Sequence, residues 1–217
     1  MLVFLLFAVP LAYAYVLLLR DDAGEPSSLT SISFLRGVGG YLLILIVLLL
    51  MRRFVVQPYS GVGGYLYATI FDYFVPLIGA FGLYHWFTPD VRGTATPDRE
   101  LSLVSFLAGA LSLAGFIDLL IRSEYMGTYE LFLLPATRIG AMLLLPALYV
   151  LFCDETFWIR YLYLAALLLS PALFGTVFIL HVLNLNLASI GAALLLFAGG
   201  AAVALFGSSR GASVSLR

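Results

Sequence analysis

Apolar residues run through this chain in long blocks, broken by short polar stretches. Seven blocks are long enough to cross a bilayer core: about 2–19, 37–57, 63–87, 101–121, 130–152, 157–180 and 183–207. A helix spans that core with roughly 20 consecutive apolar residues. The pattern predicts an all-α, polytopic integral membrane protein: a bundle of about seven transmembrane helices in a single transmembrane domain over residues 1–217. The longest connections are 20–36 and 88–100, so a site must lie among the helices or in short loops.

Composition strengthens this picture. Hydrophobic residues make up 63% of the chain and charged residues 11%, with a mean hydropathy of +1.07. A chain of this length cannot hide that much apolar surface from water, so the expected partner is the lipid bilayer. The net charge of −1 gives no sign of nucleic-acid binding. All 11 basic residues are Arg, which excludes a retinal Schiff base on lysine. The lone Cys153 excludes an intrachain disulfide and a thiolate metal centre, and no metal or other cofactor is expected.

Arginine placement predicts the orientation. With alternating loops, Arg20, Arg36, Arg92, Arg99, Arg160, Arg210 and Arg217 fall on one side, and Arg52, Arg53 and Arg122 on the other. The positive-inside rule puts the richer side in the cytoplasm. The expectation is a bacterial inner (cytoplasmic) membrane, with the N-terminus outside and the C-terminus cytoplasmic. A competing reading has Ala12-Tyr13-Ala14 as a signal-peptidase site, which would leave six spans and reverse the orientation. Tyr41, Tyr59, Tyr65, Tyr84, Trp86, Tyr125, Tyr129, Trp158 and Tyr161 fall near predicted ends, where aromatic rings favour the headgroup level.

A few ionisable groups interrupt the apolar blocks. A charge at membrane depth costs at least ~2.5–3.5 kcal/mol, so it has a partner or a purpose. Counting ~1.5 Å per residue, Asp72 lies roughly 13 Å below its surface and Arg138 roughly 12 Å below the same surface. They are expected to meet as an ion pair or substrate-binding pair. Asp118 is shallower, Glu130 opens the fifth span, and His181, Asn184 and Asn186 mark the turn between the sixth and seventh. All face the same half of the membrane, so they are candidates for a polar vestibule.

Three further patterns bear on packing. Gly37–Leu42 recurs as Gly61–Leu66, each copy read as a glycine-loosened helix entry. Pro10, Pro76, Pro135, Pro146 and Pro171 lie within spans, where each removes a backbone hydrogen bond. The fifth span draws attention because Arg138 sits between Pro135 and Pro146. The small residues of 191–204 allow close helix approach, either internally or against other membrane subunits.

Several chemistries fail on motif grounds. Asp72 and Asp118 lack the Gly-x-Gly-Asp signature of intramembrane aspartyl proteases. There is no His-Glu-x-x-His motif, and His85 and His181 fall near opposite surfaces, too far apart for one haem. Catalysis is therefore the less favoured expectation. The leading one is a small-solute transport or permeation component with a polar cavity near Asp72 and Arg138. The alternatives are a non-catalytic subunit or sensor region of a larger membrane complex, and a lipid-modifying membrane enzyme.

Overall fold

The computed structural model describes residues 28–55, 61–88, 96–122, 127, 129–154 and 157–214. Among these the chain is helical throughout: α1 (Ser28–Phe54), α2 (Gly61–Ala68), the π-helical segment π1 (Thr69–Phe74), α3 (Val75–Phe87), α4 (Thr96–Arg122), the second π segment π2 (Tyr129–Leu133), α5 (Leu134–Asp154), α6 (Phe157–Val182) and α7 (Asn186–Val214). Five stretches are long and apolar enough to cross a membrane: Ile32–Phe54, Gly61–Phe87, Arg99–Ile117, Leu134–Cys153 and Trp158–Val182. A shorter apolar helix covers Asn186–Ala202. The expected count of seven is not reached among the described residues, and the 2–19 span and the candidate cleavage site at 12–14 lie outside them.

The central helix is α4, every residue of which from Leu101 to Leu111 is buried. It is packed most closely by α1, while α5 is packed most closely by α7. Outer faces carry exposed apolar side chains, such as Phe54 (82% exposed), Trp158 (82%) and Leu187 (87%). Water would penalise that surface heavily, whereas hydrocarbon does not.

Helix α1 begins nine positions earlier than the expected 37, because polar residues near its start find partners inside the bundle. The Ser33 and Ser102 hydroxyls hydrogen bond at 2.7 Å, joining α1 to α4. This shifts the meaning of the glycine repeat. Gly37 lies inside α1, where a Cβ would overlap the Phe106 carbonyl of α4; Gly109 of α4 meets the Phe34 carbonyl of α1 in the same way. Two glycines thus let the backbones touch. The second copy does open a helix, with Gly61 at φ +62°. Tyr41, Tyr84 and Tyr129 are core residues, 3%, 2% and 1% exposed, rather than interfacial anchors.

Small residues of α7 pack internally at Gly200, where a Cβ would stand 2.6 Å from the Gly140 carbonyl oxygen of α5. The α6–α7 turn closes on Asn184, at φ +60°. Asn184 N–H donates to the His181 carbonyl (2.9 Å) and Leu185 N–H to the Leu180 carbonyl (3.0 Å). This is the Schellman arrangement, with an Asn in the left-handed position usually held by Gly. At Pro171, the missing N–H deprives the Leu167 carbonyl of its helical donor, and the Ser170 hydroxyl replaces it at 2.8 Å.

Candidate functional site

Both π segments sit just ahead of a proline. In an α-helix the N–H of residue 76 would serve the carbonyl of Asp72, and that of residue 135 the carbonyl of Leu131. Pro76 and Pro135 have no N–H to give, and each deprived carbonyl falls inside a π segment. The chain widens its turn there, and Val75 N–H donates to the Ile70 carbonyl five residues back. As a result Phe71, Asp72 and Tyr73 are all buried in succession, at 3%, 6% and 0% exposure.

Phe71 and Asp72 help line a cavity of about 10 Å³, room for one water molecule. The other lining residues are Tyr41, Leu45, Leu48, Leu49 and Arg52 of α1, Ile117 of α4 and Arg138 of α5. Asp72 and Arg138 are thus brought to one site from non-adjacent helices. Arg52 joins them: its Nη2 donates to Asp72 Oδ1 at 3.3 Å, with the arginine side chain 25% exposed and the carboxylate 7%. The Arg52 guanidinium also stands 5.9 Å from the centre of the Phe71 ring. Its Nε–H is buried without an acceptor among the described residues.

Beside the cavity runs a chain of hydroxyls whose direction is forced. Thr137 Oγ1 donates its one proton to the Leu134 carbonyl at 2.8 Å. It must therefore accept from Tyr73, whose hydroxyl is 3.0 Å away. Tyr73, having donated, accepts from the Tyr129 hydroxyl at 2.9 Å. The order is Tyr129 to Tyr73 to Thr137 to the Leu134 carbonyl, and it ties π1 to π2. Asp72 and Arg138 both act electrostatically on Tyr73 and Tyr129, so the relay and the charged cavity form one neighbourhood.

The other sequence candidates are His181, Asn184, Asn186, Asp118 and Glu130. His181 is half-buried and stacks on Tyr129, ring centres 5.8 Å apart. Asn184 and Asn186 are exposed at the turn, outside the cavity lining. Asp118 falls in the last turns of α4 and Glu130 in π2; their side chains lie outside the described residues. Among the described residues, no group of three or more His, Cys, Asp or Glu gathers to hold a metal ion.

Sequence reasoning missed Arg52, Tyr73, Tyr129 and Thr137. Arg52 had a signal: Ser33, Gly37, Gly40, Tyr41, Ile44 and Leu48 form the buried stripe of α1, and helical spacing carries that stripe on to position 52. Toward the other end of the bundle, a second group of polar contacts joins α3 to its neighbours. The Tyr84 hydroxyl donates to the Arg99 carbonyl at 3.2 Å, and the Tyr149 hydroxyl meets His85 Nε2 at 3.1 Å.

No protein-family model, curated protein or solved structure matches this sequence.

Proposed function

We propose that this membrane protein is a small-solute transport or permeation component whose solute engages the cavity lined by Asp72 and Arg138. The observation that carries the reading is three ionisable side chains, Arg52, Asp72 and Arg138, lining one cavity where π1 interrupts its helix. Charges so costly to bury among helices call for a partner or a role. π segments recur at functional sites. With room for one water, the cavity corresponds to a closed state, and passage requires the helices to part. The arginine count continues to favour a cytoplasmic C-terminus, an outer N-terminus and a bacterial inner membrane.

The test is flux in proteoliposomes. Asp72→Asn and Arg138→Gln are expected to abolish flux while insertion and far-UV circular dichroism stay at wild-type values. If both variants instead unfold, and Asp72→Leu with Arg138→Leu restores folding, the groups serve packing and the transport reading is wrong. A second reading, a subunit of a larger membrane complex, draws on the outer face of α7. Gly191 and Gly199 there have no atom within 4 Å of a Cβ position. Stable co-purification of a partner, lost on Gly199→Leu, would favour it.

A further inference from the structure

We propose that Cys153 is a modification site that takes a long-chain acyl group from an acyl thioester, with His85 drawing off the thiol proton through the Tyr149 hydroxyl. The site lies toward the other end of the bundle from the cavity and does not depend on the transport reading.

The thiol belongs to a cluster. Tyr149 and Cys153 are four residues apart on α5, which puts them on one face of the helix. The Tyr149 hydroxyl interacts with the thiol and meets His85 Nε2 at 3.1 Å. The His85 and Tyr149 rings stand edge to face, centres 5.4 Å apart. Helix α3 thus supplies the imidazole, and α5 the phenol and the thiol. With the imidazole proton on Nδ1, Nε2 accepts from Tyr149, and the phenol oxygen is left to accept from the S–H. The thiolate is the reactive form of cysteine, and a base within reach generates it.

Position gives the substrate class. Cys153 is partly exposed and is the last residue of the apolar stretch Leu134–Cys153, while His85 lies two residues from the end of Gly61–Phe87. Trp86 and Trp158, close to them in sequence, are exposed, as rings at the headgroup level are. The thiol therefore stands where hydrocarbon gives way to headgroups. An acyl thioester suits that depth, with its chain in hydrocarbon and its reactive carbonyl at the boundary. Other thiol chemistries find less support. The chain has no second Cys to form a disulfide with this one, and among the described residues no group of His, Cys, Asp and Glu gathers for a metal ion.

The step balances without a further reagent. The thiol proton passes to the Tyr149 oxygen as the Tyr149 proton passes to Nε2. The thiolate adds to the acyl carbonyl, and a new carbon–sulfur bond forms. The bond from that carbon to the carrier sulfur breaks, and the carrier thiolate takes the proton back from His85. The products are an acylated Cys153 and a free carrier thiol.

The experiment incubates the full chain in proteoliposomes with palmitoyl-CoA at neutral pH and follows the added mass on Cys153. One acyl group per chain is expected, released by neutral hydroxylamine as a thioester is, and absent in Cys153→Ser. Tyr149→Phe keeps the ring packing and removes the relay, so acylation should slow roughly tenfold or more with unchanged far-UV circular dichroism. His85→Gln can still accept a hydrogen bond from Tyr149 but is no base, so a merely structural role would survive it; the same slowing is expected. No acylation of Cys153, or acylation no faster than that of the SDS-unfolded chain, overturns the proposal. So do wild-type rates in both Tyr149→Phe and His85→Gln. Acetyl-CoA reacting as fast as palmitoyl-CoA overturns the long-chain assignment.

Discussion

The hydroxyl relay beside the cavity makes a prediction that depends on proton direction as well as contact. Tyr129 donates to Tyr73, which donates to Thr137, which donates to the Leu134 carbonyl. Tyr73→Phe removes two interhelical bonds, ~0.6 kcal/mol each by membrane-protein averages. It also leaves the buried Tyr129 O–H without its acceptor, ~1–3 kcal/mol. The expected cost is about 2–4 kcal/mol. Thr137→Val, close in volume, removes the bond from Tyr73 and the bond to the Leu134 carbonyl and orphans the Tyr73 O–H, for about 2–4 kcal/mol. Tyr129→Phe removes the first donor and orphans no proton, so its cost is only about 0.6 kcal/mol. The assay is equilibrium unfolding in mixed micelles of rising SDS mole fraction, followed by far-UV circular dichroism. If Tyr129→Phe costs as much as Thr137→Val, the protons do not run in the assigned order and the reasoning fails.

Two further predictions concern the frame that holds the cavity. Ser170→Ala should destabilise by about 1 kcal/mol, because Pro171 cannot serve the Leu167 carbonyl; in a Pro171→Ala background the same change should be nearly silent, and a double-mutant cycle in the unfolding assay checks this. Gly109→Leu should cost at least about 3 kcal/mol by driving a side chain into the Phe34 carbonyl of α1, read as a lowered unfolding midpoint, whereas Gly39→Ala, where a Cβ meets nothing, should be neutral or slightly stabilising.

That Asp72 and Arg138 could share a level was legible because a helix advances by a constant rise. Asp72 and Arg138 could be assigned similar depths by counting residues, and they line one cavity. Arg52 was read as a surface charge because it lies two residues from the end of α1. Depth counted at Cα misses a long side chain that turns back toward the interior. The π segments left no trace in hydrophobic periodicity, since blocks that are apolar on every side look alike in α and π geometry. Their mark was Pro76 and Pro135, each four residues beyond a carbonyl it cannot serve. The two glycine repeats looked alike and act differently, because only packing shows whether a missing Cβ admits a neighbouring backbone or a positive φ.

The sequence by itself determined the solvent and the class of fold. Its apolar blocks can be satisfied only by hydrocarbon, and in hydrocarbon a backbone must close its hydrogen bonds within each helix. It also marked which charges interrupt apolar blocks and are costly to bury. Only the tertiary structure decided which charge meets which: the pairing of Arg52 with Asp72, the approach of α5 and the hydroxyl relay join residues 20 to 64 positions apart. Those meetings depend on how each helix is rotated about its axis. Glycine contacts and proline-induced π turns set that rotation, and neither follows from a count of residues along the chain.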